Sequence, residues 1–318
     1  MILQIVLIIL GFTLLVKGAD LLVNGASDIA KKFKIPEMVI ALTIVSIGTS
    51  LPELIVSLDS AIKGYSDIAI GNIVGSNIVN LLFILGLCAI ITPLEFKKPT
   101  KFIENPICLL VTGLLFIMAN TGSEITRTEG IILLTGAVLF LLYNLYMARN
   151  SKEIDKTYLE ESKKKELKKI NVWKCILYIL SGIVILKIGG QLVVDNAVLI
   201  AKTFGLSEKL IGITIVAVGT SLPELVTSVS AALKGEKDMA IGNILGSNIF
   251  NILLIIGVSS VISPITYSLS YNNDVMLLMI VTLLFCLYPF TGKKDTMTKR
   301  NGLIFVLIYI GYIITNII

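Results

Sequence analysis

Apolar residues occur along the chain in long blocks that are separated by short polar segments. Ten blocks can be counted, and each approaches the roughly 20 residues that a helix needs to cross ~30 Å of hydrocarbon. The pattern predicts an all-α polytopic membrane protein with ten transmembrane helices. The predicted spans cover residues 2–29, 37–62, 68–92, 105–121, 129–148, 172–200, 208–233, 239–263, 274–291 and 302–318.

Lysine and arginine residues lie mostly on one side of these spans. Of the 27 Lys and Arg, 21 fall in the connections of one side, 4 in those of the other, and two within blocks. Cytoplasmic connections carry such an excess, so we expect a cell-membrane protein with the basic side cytoplasmic and both termini outside. The longest polar stretch, residues 150–171, then becomes a cytoplasmic linker between residues 1–149 and residues 172–318.

The composition excludes several other classes of protein. Only 15% of the 318 residues are charged and 55% are hydrophobic, whereas a soluble domain carries about 25% charged residues. No nucleophile–base pair stands out, so an enzyme is not expected. The net charge of +5 belongs to the cytoplasmic connections, so we expect no nucleic-acid partner. The chain has no histidine, which excludes His-ligated zinc and haem, and we expect no cofactor.

The chain contains two copies of one segment, offset by 171 residues. Residues 43–54 (TIVSIGTSLPEL) match 214–225 (TIVAVGTSLPEL) at ten of twelve positions. Residues 67–82 match 238–253 at twelve of sixteen positions. Because each half has five spans, the second copy enters the membrane from the opposite side, which predicts two inverted five-helix repeats. Secondary transporters have this architecture, with substrate sites at the repeat interface near the bilayer midplane.

Both copies place polar residues in the middle of a span. Glu53 and Glu224 lie about sixteen residues into theirs, where an unpaired carboxylate costs at least a few kcal/mol. Pro52 and Pro223 precede them and cannot donate to the carbonyl four residues earlier, which breaks each helix. Hydroxyl and amide groups share helix faces at i, i+4 and i+8 spacing. These are Thr49 and Ser57, Thr220 and Ser228, Asn72, Ser76 and Asn80, and Asn243, Ser247 and Asn251.

All of these candidate ligands offer hard oxygen atoms. Ca²⁺ takes 6–8 oxygens and Na⁺ can use subsets of the same set, whereas the lack of Cys and His among them argues against zinc, copper and iron. Two carboxylates balance one Ca²⁺, two Na⁺ or two protons, so the residues alone leave the coupling ion open. A cation channel is less consistent with this pair of repeats, because channels usually present rings of ligands around an oligomer axis.

At these residues the chain resembles the calcium/cation antiporter superfamily, and most of all its prokaryotic sodium/calcium exchangers. The duplicated GTSLPE and GNxxGSNxxN motifs match the alpha repeats of that family, and the resemblance extends over essentially all ten spans. It implies exchange of Ca²⁺ for Na⁺ by alternating access. It also implies that spans one and six are long tilted helices that slide against a fixed core.

The resemblance further implies a set of ligands for each transported ion. A central calcium site would use Glu53 and Glu224 with the carbonyls of Thr49 and Thr220, and Asn80 and Asn251 would line its middle. One sodium site would lie near Ser46, Thr49, Ser50, Ser76 and Glu53. The other sodium site would use Ala217, Thr220, Ser221, Ser247 and Glu224.

Position 251 departs from part of the family. Potassium-dependent and some archaeal relatives carry Asp there, whereas this chain has Asn251, which makes potassium co-transport less expected. The hydroxyls beside each glutamate favour Na⁺ as the coupling ion, because a proton needs no cage of ligands. An H⁺/Ca²⁺ antiporter stays as the alternative, since proton-coupled relatives also build their sites on paired glutamates. No feature of the sequence indicates an oligomeric state.

Overall fold

The computed structural model describes residues 2–150, 170–204, 217–291 and 296–317. Within these ranges the chain is mostly helical, as the apolar blocks predict. We number the helices in chain order, and adjoining α and π turns are counted as one helix. They are α1 (Ile2–Phe33), α2 (Glu37–Thr49), α3 (Leu51–Ile62), α4 (Ser66–Ile91), α5 (Thr100–Gly122), α6 (Arg127–Asn150), α7 (Val172–Thr203), α8 (Ala217–Thr220), α9 (Leu222–Leu233), α10 (Lys237–Ile262), α11 (Asn272–Thr291) and α12 (Lys299–Ile317).

In the described part of the chain, seven helices are long and apolar enough to cross a membrane, and the bent pair α2/α3 makes an eighth. The tenth predicted span is present as the helix α12. The seventh span, predicted over 208–233, is described only from Ala217 onward as α8 and α9. Its first part and most of the predicted linker 150–171 lie outside the described residues.

Helices α1 and α7 pack against each other through glycines. A Cβ atom on Gly11 would lie 2.9 Å from the main-chain oxygen of Gly189, and one on Gly18 would lie 3.0 Å from that of Gly182. The contacts run in opposite directions along the two helices, so the helices are antiparallel. Each has 32 residues, or about 48 Å at ~1.5 Å per residue. This exceeds the ~30 Å hydrocarbon core, so both helices are long enough to cross it with a tilt.

Helices α4 and α10 form the centre of the molecule. In their most apolar windows 78% and 83% of residues are buried, against 22% in α1. Close approach to α10 is possible because it carries glycines, and a Cβ atom on Gly246 would lie 2.6 Å from Ser46 Oγ of α2. The motif-bearing helices are therefore packed together, while α1 turns many apolar side chains outward.

Two short antiparallel strand pairs, which the sequence analysis did not predict, join loops of the two halves. Strand β1 (Leu94–Glu95) pairs with β4 (Thr296–Met297), and β2 (Glu124–Ile125) pairs with β3 (Ile265–Thr266). The 171-residue offset of the repeat maps β1 onto β3 and β2 onto a segment that overlaps β4. Strands of two residues are too short to carry an alternating pattern, so their pairing depends on the helices that bring the loops together.

Candidate ion-binding site

A break in the helix positions each candidate carboxylate. Pro52 cannot donate an N–H to the carbonyl four residues earlier, and at Ser50 the backbone leaves the helix with φ −81° and ψ 10°. Helices α2 and α3 consequently meet at an angle of 49°. The second copy repeats the break before Pro223, where Ser221 has φ −84° and ψ 5°. The break turns the start of a new helix into the protein interior.

Glu53 and Glu224 occupy the first turns of α3 and α9. Both residues are completely buried, with 0% of their surface exposed. The unpaired N–H groups and the dipole at a helix N-terminus favour a negative charge at this position. No lysine or arginine is buried among the described residues, so a bound cation is the counter-charge that fits this pair.

One oxygen of each carboxylate receives hydroxyl groups from both halves of the chain. Glu53 Oε1 accepts hydrogen bonds from Ser76 and Ser221, each at 3.4 Å. Glu224 Oε1 is bonded in the equivalent way, by Ser50 at 2.7 Å and Ser247 at 3.4 Å. Each half-site is therefore completed by a serine from the helix break of the opposite repeat.

Two asparagines link each helix break to the opposite repeat. Asn72 Oδ1 accepts from the Thr220 hydroxyl at 3.1 Å, and Asn243 Oδ1 accepts from the Thr49 hydroxyl at 3.2 Å. The nitrogens of the same amides donate to the hydroxyls of Ser57 and Ser228, at 2.9 Å each. The two threonine hydroxyls donate in these bonds, which fixes their hydrogens and leaves their oxygen lone pairs, like the main-chain carbonyls, able to accept.

The predicted central asparagines lie in π-helical turns of α4 and α10. Asn80 belongs to Val79–Ile84 and Asn251 to Asn251–Ile256, and π turns occur frequently at functional sites. Both residues are buried, at 1% and 0% exposure. They follow the serines that bond the carboxylates by one helical turn, so their side chains share that face.

Four of the buried oxygen atoms that have no hydrogen-bond partner among the described residues belong to predicted ligands. They are Glu53 Oε2, Glu224 Oε2, Asn80 Oδ1 and Asn251 Oδ1. Buried polar atoms are usually paired, because leaving one unpaired costs free energy. Cations bound between the two repeats would give such oxygens a partner, and their positive charge would offset the two carboxylates.

Two further residues predicted for the sodium sites, Ser46 and Ala217, belong to α2 and α8. Ser46 is buried and donates to the main-chain oxygen of Thr43 at 3.2 Å. Ala217 is the first residue of α8. Sequence reasoning missed Asn77 and Asn248, which bond Asn251 and Asn80 at 2.9 Å. The available signal was their presence in both copies of the GSN motif, although an i+1 position lies off the ligand face of a regular helix.

Comparison with known proteins shows which family the chain belongs to. Residues 3–148 and 174–318 match the family described as sodium/calcium exchanger protein. The chain belongs to the sodium/calcium exchanger family. The resemblance drawn from the two motifs is therefore confirmed, and the chain is a membrane protein of a family of cation/Ca²⁺ antiporters.

Individual relatives match the chain over most of its length. It is 39% identical over 289 residues to inner membrane protein YrbG of Escherichia coli, covering 90% of this chain and 89% of the relative. It is 32% identical to sodium/calcium exchanger MaX1 of Methanosarcina acetivorans, over 91% of both chains. A solved structure of the sodium-calcium exchanger NCX_Mj soaked with Na⁺ and Sr²⁺ superposes with a TM-score of 0.84, at 31% identity over 98% of both chains.

Proposed function

We propose that this protein is a ten-span antiporter that exchanges Ca²⁺ for Na⁺ across the cell membrane by alternating access. The observation that carries the proposal is the pair of fully buried carboxylates, Glu53 and Glu224, each with one oxygen left unpartnered. Two such charges without a buried basic residue among the described residues call for cations. The soaks of NCX_Mj with Na⁺ and Sr²⁺ support the choice of a monovalent and a divalent ion.

The same two carboxylates serve both ions in this proposal, which explains exchange rather than co-transport. Ca²⁺ binds the unpartnered oxygens of Glu53 and Glu224, with the carbonyls of Thr49 and Thr220 and the amides Asn80 and Asn251 around it. Na⁺ ions bind on either side, at the two groups of residues proposed from the sequence. They are Ser46, Thr49, Ser50, Ser76 and Glu53, and Ala217, Thr220, Ser221, Ser247 and Glu224. Because each bound state uses the same negative charges, Ca²⁺ and Na⁺ displace each other.

Matching contacts between the two halves support inverted repeats and alternating access. Antiparallel α1 and α7 cross at equivalent glycines, and the hydrogen bonds of the site occur in two matching sets. Repeats related in this way can exchange conformations, which opens one site to each side in turn. We assign α1 and α7 as the moving helices, with both termini outside and the linker 150–171 in the cytoplasm.

Uptake of ⁴⁵Ca²⁺ into proteoliposomes tests the proposal and separates it from H⁺/Ca²⁺ antiport. One set of vesicles carries an outward Na⁺ gradient and the other an opposing pH gradient without Na⁺. The hydroxyls of Ser50 and Ser221 beside the carboxylates favour Na⁺, so we expect uptake in the first set. Uptake driven by the pH gradient alone would show that protons, and not Na⁺, are the coupling ion. Uptake in neither set of vesicles would contradict Ca²⁺ antiport.

A further inference from the structure

Four asparagines from α4 and α10, Asn77, Asn80, Asn248 and Asn251, form one hydrogen-bonded group, which we name the asparagine ring. Asn77 Nδ2 donates to the main-chain oxygen of Asn248, and Asn248 Nδ2 donates to that of Asn77, both at 3.2 Å. Asn251 Nδ2 donates to Asn77 Oδ1, and Asn80 Nδ2 donates to Asn248 Oδ1, both at 2.9 Å. All four residues are at most 1% exposed, so water does not compete for these bonds.

The hydrogen bonds of the ring fix the orientation of each side-chain amide, that is, the directions of its oxygen and its NH₂ group. A main-chain carbonyl can only accept, so it must face the NH₂ end of Asn77, and the oxygen end of Asn77 then faces Asn251. That oxygen in turn must face the NH₂ end of Asn251. The carbonyl oxygen of Asn251 is left on the opposite side, where it has no partner among the described residues. The same sequence of constraints runs from Asn248 to Asn80.

We propose that Asn77 and Asn248 are positioning residues that force Asn251 and Asn80 to present oxygen, and not N–H groups, to the transported cation. This inference rests on the proposed function, because it concerns the polarity of the same ion site. An asparagine amide turned by half a rotation would instead point its two N–H donors at the cation, and their partial positive charges would repel it. The ring removes that alternative without adding any charge to the site.

The inference predicts a specific pattern of coupling between residues. Asn77→Ala should raise the half-saturating Ca²⁺ concentration by about tenfold or more, as loss of a group that orients a metal ligand commonly does. In an Asn251→Ala background the same change should have almost no further effect, because the ligand that Asn77 orients is gone. In an Asn80→Ala background the full effect of Asn77→Ala should persist.

The experiment measures half-saturating Ca²⁺ in Na⁺-driven uptake and maximum rate for the single and double variants. The matched control is Asn144→Ala, because Asn144 is also buried and donates to a main-chain oxygen, that of Phe140, at 2.8 Å. Asn144 lies on α6 outside the ring, so this control should leave half-saturation unchanged. If Asn77 had only a structural role, Asn77→Ala would change half-saturating Ca²⁺ equally in the Asn251→Ala and Asn80→Ala backgrounds.

Equal effects of Asn77→Ala in the two backgrounds would overturn the inference, while Ca²⁺ exchange by the unmodified protein would still support the antiporter. Failure of the unmodified protein to exchange Ca²⁺ would instead contradict the proposed function. If Asn77→Ala does not yield a monodisperse protein, the equivalent cycle with Asn248→Ala decides. There the effect should vanish with Asn80→Ala and persist with Asn251→Ala, and the reverse or equal effects would refute the positioning role.

Discussion

Replacing Glu53 by glutamine removes one negative charge from the ion site with almost no change in side-chain volume. In the structure Glu53 Oε1 accepts from Ser76 and Ser221, and the amide oxygen of glutamine can keep both bonds. The amide NH₂ takes the place of Oε2, which has no partner among the described residues. The substitution therefore acts on the cation and leaves the hydrogen bonds that hold the helices in place.

The size of the effect follows from the charge. Two unit charges about 4 Å apart interact by ~4 kcal/mol at an effective dielectric constant of ~20, and a divalent ion doubles this to ~8 kcal/mol. If the cost of keeping the carboxylate buried offsets about half of that gain, ~4 kcal/mol remain. At ~1.4 kcal/mol per factor of ten, Ca²⁺ affinity should fall by about a thousandfold. Glu224→Gln should act equally, because the two carboxylates occupy equivalent positions.

The assay is Na⁺-driven ⁴⁵Ca²⁺ uptake into proteoliposomes, and we expect no measurable exchange by either variant. Glu104→Gln is the matched control, since Glu104 is a third buried carboxylate, 3% exposed and bonded by the Tyr143 hydroxyl at 3.3 Å. It lies on α5, outside both repeated motifs, so its variant should still transport. Near-normal uptake by Glu53→Gln or Glu224→Gln would refute the assignment of the carboxylates to the ion site.

Three further outcomes are expected. Because Asn251 adds no carboxylate to the site, Na⁺-driven Ca²⁺ flux should be unchanged when choline replaces all K⁺, and loss of flux would contradict this. A disulfide between cysteines at Asp20 of α1 and Ser230 of α9, whose side chains are 3.1 Å apart, should stop exchange and spare Ca²⁺ binding. Exchange at the uncrosslinked rate would refute the sliding of α1. Gly189→Leu would place a Cβ atom 2.8 Å from a main-chain oxygen of α1, so the melting temperature in detergent should fall with an overpacking cost of about 1–3 kcal/mol. Gly113→Leu is its control, because no described atom lies within 4 Å of that Cβ position, and an equal fall in both variants would count against close α1–α7 packing.

Much of the architecture could be predicted from the sequence because the relevant signals lie within single helices. The length of the apolar blocks indicated the spans, and eight of them are present as apolar spans in the described residues. The repeat located Glu53 and Glu224, since a carboxylate after a proline in the middle of a span has few structural explanations. The i, i+4 spacing likewise placed Ser76 and Asn80 on one helix face, because helix geometry fixes which side chains lie together.

Partners across the two repeats, in contrast, were decided only by the tertiary structure. Ser50 bonds Glu224, 174 residues away in sequence, and not the glutamate of its own repeat. The periodicity of one helix says which face is polar, but it carries no information about which distant helix packs against that face. Asn77 and Asn248 were missed for the same reason, because an i+1 position joins the site only when a partner helix brings the amides of both helices together.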